Sequence, residues 1–206
     1  MTKEEIKGLF EYDRAVRNDF PVICGIDEAG RGPLAGDVYA AAVIFDEDVF
    51  IEGLNDSKKL TEKKRERLYD EIISKAKAYC VATASVEEID RINILQATFL
   101  AMKRAYEGLG VSADLALVDG NRLPELGCKA EAVVKGDGLS ASIAAASVLA
   151  KVSRDRYMKK LAEEYPQYRF ERHKGYGTKI HTDLILEHGV SSVHRKTFLK
   201  KLLGNG

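Results

Sequence analysis

Val22-Ile-Cys-Gly-Ile-Asp-Glu-Ala-Gly-Arg-Gly-Pro33 is an apolar run that breaks into two adjacent acids and a Gly-Arg-Gly turn. The apolar half predicts a buried strand, and Asp27 and Glu28 sit at its carboxyl end. Ionised carboxylates in apolar surroundings are strongly penalised unless a cation or a paired base neutralises them. The glycines that follow allow the backbone to approach a ligand closely, with Arg31 between them. Acids followed by bendable, cationic backbone point to a metal site beside a phosphate.

Outward from this stretch the chain alternates strands and helices. A polar helix is expected over residues 4–17, and a second strand over Val38–Phe45. The loop Asn55-Asp-Ser-Lys-Lys-Leu60 opens a helix from Glu62 to about Ala78, with Leu68, Ile72 and Ala76 as its buried stripe. A strand follows over Tyr79–Ser85, then an apolar helix over Ile94–Leu109 closed by Gly110. Leu115–Val118 and Ala130–Val134 read as short strands ending in Asp119-Gly-Asn121 and Lys135-Gly-Asp137-Gly138. The small-residue run Ser140–Ser147 begins a helix reaching about Tyr165, and its surface permits close approach to a neighbour. Residues 167–178 read as a glycine-containing loop around Tyr176, followed by a helix ending at Gly189 and a short basic tail helix. The alternation predicts one α/β domain spanning residues 1–206, with a helical part from about residue 167 to 206.

Three sites share one pattern, in which an apolar strand gives way to a carboxylate with glycine nearby: Asp27-Glu28, Asp119 and Asp137. Strand ends are where open α/β sheets bind ligands. Oxygen-only ligation selects Mg²⁺ or Mn²⁺ over zinc, and two such ions form a clamp for phosphodiester displacement. Taken singly, Asp119 reads as a turn residue and Asp137 as one that orders its loop. Adjacent strand residues point to opposite faces, so Asp27 and Glu28 reach one site only if the strand ends or bulges there. The four histidines show no i, i+4 pairing, and His194-Arg195-Lys196 reads as a surface cluster.

The 32 basic and 32 acidic residues cancel, so net charge gives no sign of a polyanionic partner. Local strips do: five bases against one acid over Lys151–Lys160, and Arg195, Lys196, Lys200 and Lys201 without an acid in the tail. The plain alternative for both is a solvated helix face. Three scattered cysteines, a charged N-terminus and no long apolar run predict a cytoplasmic protein with no membrane partner. Nucleophilic-serine and phosphate-loop signatures are absent.

The ordered set Asp27-Glu-Ala-Gly-Arg-Gly-Pro-Leu-Ala-Gly36, Asn55-Asp-Ser-Lys-Lys-Leu60, Val118-Asp-Gly-Asn121, Lys135-Gly-Asp137, Ser142-Ile-Ala-Ala-Ala-Ser147 and Lys174-Gly-Tyr-Gly-Thr178 resembles bacterial ribonuclease HII, from about residue 22 to residue 199. The resemblance implies a ribonuclease-H-like mixed sheet flanked by helices, with a C-terminal helical extension contributing to substrate binding. It implies cleavage of the RNA strand of RNA–DNA hybrids, and cutting 5′ of single ribonucleotides embedded in duplex DNA to leave 3′-OH and 5′-phosphate ends. By the family's pattern, Asp27, Glu28, Asp119 and Asp137 hold two Mn²⁺ or Mg²⁺ ions. Gly30, Arg31 and Gly32 sense the ribose 2′-OH, Tyr176 packs on the sugar on the DNA side of the junction, and Lys58 contacts phosphate. Two positions depart from it: Asp37 stands where a proline commonly follows Leu-Ala-Gly, and Ile180 replaces an acid. No obligate protein partner is implied, and monomer is the default. The rival readings are a hybrid-binding module without catalysis and a junction resolvase that ignores the 2′-OH.

Overall fold

The computed structural model describes residues 3–204. Five strands form one mixed sheet in the order β3-β2-β1-β4-β5. They are β1 (Ile23–Ala29), β2 (Val38–Ile44), β3 (Ala78–Ala84), β4 (Leu115–Asp119) and β5 (Lys129–Val133). β2 runs antiparallel to both of its neighbours, β1 and β3, and β4 and β5 lie parallel to β1 on its other side. The helices are α1 (Lys3–Arg17), α2 (Glu62–Lys75), α3 (Val86–Glu107), α4 (Ala141–Glu164), α5 (Phe170–His173), α6 (Lys179–His188) and α7 (Lys196–Leu199). No helix among them is long and apolar enough to cross a membrane.

The period-2 alternation of the strands divides the core between the two faces of the sheet. Ala41 and Val43 of β2 pack with α1, α2 and the alanines of α4, whereas Ala40, Ala42 and Ile44 pack with Ala97, Ala101 and Ala105 of α3. The central strands follow the same rule. Cys24, Ile26, Ala116 and Val118 turn to α3, while Ile23, Leu115 and Leu117 pack with Ile143 of α4. Asp27 and Asp119 therefore belong to the α4 face, and Glu28 to the α3 face.

Helix α4 is unusually close to β1. A Cβ at Gly25 would fall on the Ser142 and Ile143 backbone, so only glycine is accommodated there. Two interactions seat the start of this helix. Ser140 caps it by accepting from the Ile143 N–H, and buried Asp13 of α1 accepts from the Ser142 N–H and hydroxyl at 2.9 and 2.6 Å. The small residues of the 141–150 run are wholly buried against β1 and β2.

Helix α3 begins earlier than the sequence reading placed it. Ser85 caps a first segment from Val86 through a capping box with Glu88, and Asn93, at φ 67°, breaks the helix and re-caps it for the Ile94–Glu107 segment. The expected Ile94 start is the second segment's, and the polar first turn concealed the other. Asp37 takes part in this entry, accepting from the Val86 N–H at 3.1 Å.

Two basic features also differ from expectation. Over Lys151–Lys160, Lys151 pairs with Asp155, Arg156 with Glu66 and Lys159 with Glu62, while Arg154 is buried. Four of the five bases of that strip are thus paired or buried within the fold. His194 and Arg195 are fully buried rather than a surface cluster. Replacing Gly25 by alanine should force α4 off the sheet at a cost of about 3 kcal/mol, a fall in Tm of roughly 6–12 °C for a chain this size. An unchanged thermal melt would show that the α4–β1 approach is not constrained by this contact.

Candidate metal centre

Register brings the first two acids together. Ile26 of β1 lies beside Val118 of the parallel strand β4, so the next residues, Asp27 and Asp119, emerge side by side on the α4 face. The third arrives from the turn after β5. Lys135 adopts a left-handed conformation at φ 58°, and the Gly136–Gly138 turn then carries Asp137 toward α4. Asp119 Oδ1 accepts from the Gly136 N–H at 2.7 Å, holding that turn against the strand end. One carboxylate oxygen from each of Asp27, Asp119 and Asp137 lies within 4.8 Å of the others.

Glu28 is not in this group of three. β1 continues in register through Ala29 opposite Tyr39, without a bulge, so Glu28 keeps to the opposite face. There it pairs with Arg31 at 3.5 Å and lines a cavity of about 390 Å³ with Asp119, Asn121 and Arg122 and with Leu95, Thr98, Phe99 and Met102 of α3. Asp119 borders both places.

The electrostatics are those of a site lacking positive charge. Burial pushes the Asp27 carboxyl well above the usual carboxylate range, and the charges of Glu28 and Asp119 push it further. Burial also raises Asp137, with Asp56 and Asp119 adding to the rise and Lys58 opposing it. Glu28 is raised by burial too, with Arg31 pulling the other way. Among the described residues, the one cation paired with the group of three is Lys58, 3.6 Å from Asp137 and exposed along most of its length. Burial works against its ammonium, but Asp137, Asp27, Asp56 and Asp119 together raise its pKa. Three crowded carboxylates with only oxygen donors fit a hard divalent cation of the Mg²⁺ or Mn²⁺ type.

A hydroxyl pair that sequence reasoning missed supports Asp27 from behind. Ser147 of α4 draws the Asp27 carboxyl pKa down against its burial and meets the hydroxyl of Ser57 at 2.9 Å, both serines being buried. Ser57 precedes Lys58, so one chain of polar groups links the Lys58 loop to Asp27. Asp56 was likewise not singled out, although its charge raises the Asp137 carboxyl. Ser147 had a signal, being the polar member of a small-residue run.

The Gly30-Arg31-Gly32 turn lies beyond the end of β1. Tyr176 is near it: its ring edge is 3.8 Å from where a Cβ on Gly32 would stand, and its side is exposed. The carbonyl of Tyr176 meets His181 at 3.0 Å, and His181 meets His194 at 3.1 Å. His173 stacks on His181 with centroids 4.3 Å apart. Burial holds both His181 and His194 down to about 4, so this stack under the tyrosine loop is neutral at physiological pH.

With this geometry described, the likenesses to known proteins are specific. The family model for Ribonuclease HII matches residues 24–201. A relative named Ribonuclease HII from Caldicellulosiruptor bescii is 52% identical over 204 residues, covering 98% of this chain and 99% of that protein. Another of that name, from Albidiferax ferrireducens, is 60% identical over 177 residues, covering 86% of each. The crystal structure of ribonuclease H2 from Pyrococcus horikoshii superposes with a TM-score of 0.74 at 26% identity, covering 88% of this chain and 96% of that one.

The crowding of charge makes a direct prediction. Asp27→Asn should leave the metal-free protein as stable as the parent or raise its Tm by a few degrees, and should remove most of the Tm rise that Mn²⁺ gives the parent. A metal-free variant that melts well below the parent would mean that the Asp27 charge is already compensated within the fold.

Proposed function

The chain belongs to the ribonuclease HII family and is a metal-dependent ribonuclease H, and from that premise we propose how its residues do the work. It hydrolyses the RNA strand of RNA–DNA hybrids and cuts 5′ of a single ribonucleotide within duplex DNA, leaving 3′-OH and 5′-phosphate ends. The observation that carries this reading is the convergence of Asp27, Asp119 and Asp137 on one face of the sheet, beside the Gly30-Arg31-Gly32 turn.

Asp27, Asp119 and Asp137 would hold the divalent ions, Mn²⁺ or Mg²⁺, and Glu28 would join the set on the α3 side through Asp119, which borders both places. Bound there, two ions supply Lewis-acid activation of water and neutralise charge at the scissile phosphate. The chain's own groups do the rest. Ser147 and the Glu28 N–H, which donates to Asp27 at 2.7 Å, fix the orientation of the central carboxylate. Lys58, exposed along most of its length, is free to meet a phosphate oxygen in place of Asp137 once that carboxylate is otherwise engaged. The Gly30–Gly32 turn presents backbone donors to the ribose 2′-OH, and Tyr176 packs against the neighbouring sugar.

The helical part from about residue 167 to 206 belongs to the same domain and contributes to substrate binding, with Lys196, Lys200 and Lys201 as its phosphate contacts. Arg195 does not serve there, being buried. Ile180, where the family usually has an acid, is exposed near the start of α6 and leaves this surface without that negative charge. We place the enzyme in the cytoplasm as a monomer without an obligate protein partner, consistent with three free cysteines.

The test is cleavage of a DNA duplex containing one ribonucleotide, in Mg²⁺ and separately in Mn²⁺. A cut 5′ of the ribonucleotide is expected, with none in an all-DNA duplex, and Asp137→Asn should lose it by about 10²–10³-fold, the scale of an electrostatic element of catalysis. Cutting of the all-DNA duplex at a comparable rate would favour a nuclease without a 2′-OH sensor. Full activity in Asp137→Asn would remove that residue from the site.

A further inference from the structure

Two buried guanidinium groups gather the loop between β1 and β2. Arg195 donates to the carbonyls of Gly30 at 2.7 Å, Arg31 at 3.0 Å, Pro33 at 2.9 Å and Gly36 at 2.6 and 2.8 Å. Arg154 donates to those of Ala35, Asp37 and Lys174, each at 3.1 Å. Six of the eight carbonyls over residues 30–37 thus face these two side chains, and Leu34 O accepts from the Arg195 N–H. Both guanidinium groups are at most 1% exposed, and among the described residues neither forms an ion pair with a carboxylate. A buried cation without a partner anion is costly, so neither arginine is there for packing alone. Their partners are loop carbonyls.

The consequence falls on the other edge of each peptide. With the carbonyls of Gly30 and Arg31 turned inward, the following N–H groups, those of Arg31 and Gly32, are turned away from Arg195. Among the described residues those two N–H groups donate to no protein acceptor. Gly30, at φ 97°, supports this arrangement, because a side chain there would occupy the space of the Arg154 guanidinium. Arg154 also reaches the Lys174–Thr178 segment through the Lys174 carbonyl, and its guanidinium lies 5.9 Å from the Tyr176 ring.

We propose that Arg195 is a positioning residue for sugar discrimination: its grip on the Gly30, Arg31, Pro33 and Gly36 carbonyls aims the Arg31 and Gly32 N–H groups at the ribose 2′-OH. This rests on the ribonucleotide-directed function proposed above. Lysine cannot replace it, because a single ammonium lacks the planar fork that spans carbonyls on two edges.

The test is Arg195→Lys, read by binding rather than turnover, with Ca²⁺ in place of the catalytic ions. Dissociation constants are measured for a duplex with one ribonucleotide and for the all-DNA duplex of the same sequence. The parent is expected to prefer the ribonucleotide duplex. In the variant that preference should fall about tenfold, the scale of one or two hydrogen bonds, with all-DNA affinity within about twofold of the parent and the Mn²⁺-induced Tm rise retained. Should Arg195→Lys not fold, Asp90→Ala serves instead. Asp90 accepts from the Lys196 and Thr197 N–H groups at 3.0 Å and so seats the backbone just beyond Arg195. A smaller loss in the same direction is expected. A folded variant that keeps the parent's preference, or that loses affinity for both duplexes equally, overturns the proposal. A parent without any preference overturns the ribonucleotide reading and this proposal with it.

Discussion

Three carboxylates share one face of a sheet with a helix packed directly over it, and that crowding is the constraint to which the surrounding structure answers. Asp27 and Asp119 are brought side by side by the parallel pairing of β1 and β4, and Asp137 is returned to them by the turn that feeds α4. Such a cluster persists only if the backbone beneath it cannot relax. Gly25 lets α4 lie on β1, Asp13 and Ser140 pin the first turn of α4, and the Asp119–Gly136 hydrogen bond closes the Asp137 turn. On the proposed function, the resulting desolvated negative charge is what a pair of divalent cations requires.

The loop beside that cluster is held in a different way. It has few side chains of its own to pack, and its carbonyls are bound by Arg154 from α4 and Arg195 from just before α7. The C-terminal helices are therefore tied into the same framework as the acids. Val193 accepts from the Gly36 N–H, Gly175 accepts from the Leu34 N–H, and the neutral histidine stack lies beneath the Tyr176 loop. The parts proposed to hold metal and to read sugar share one rigid support, α4.

Much of this was legible in the chain and some was not, for physical reasons. Strand and helix order followed from hydrophobic periodicity, and the small-residue run Ser140–Ser147 announced the close approach of α4. The acids stood out because charge at the end of an apolar strand is expensive. The opposite facing of Asp27 and Glu28 also followed from strand geometry, and the continuous register through Ala29 upheld it where a bulge had been invoked. What failed was the reading of cations. A buried Arg195 and an exposed Lys200 look alike in a basic tail, because the partners of Arg195 are backbone carbonyls about 160 residues earlier, invisible to local pattern. The same holds for Arg154, hidden in a strip in which Arg156 and Lys159 pair with acids on the surface. His194, read with that tail as exposed, is buried through contacts with Tyr168, Phe170 and His181 that no i, i+4 spacing reveals.

The central claim is that the three carboxylates on the α4 face hold divalent cations. Diffraction from crystals soaked in MnCl₂, recorded where manganese scatters anomalously, tests it most directly. An anomalous peak within bonding distance of Asp27, Asp119 and Asp137 is the predicted result. No peak there, or manganese found only in the cavity between Glu28 and Arg122, would contradict it.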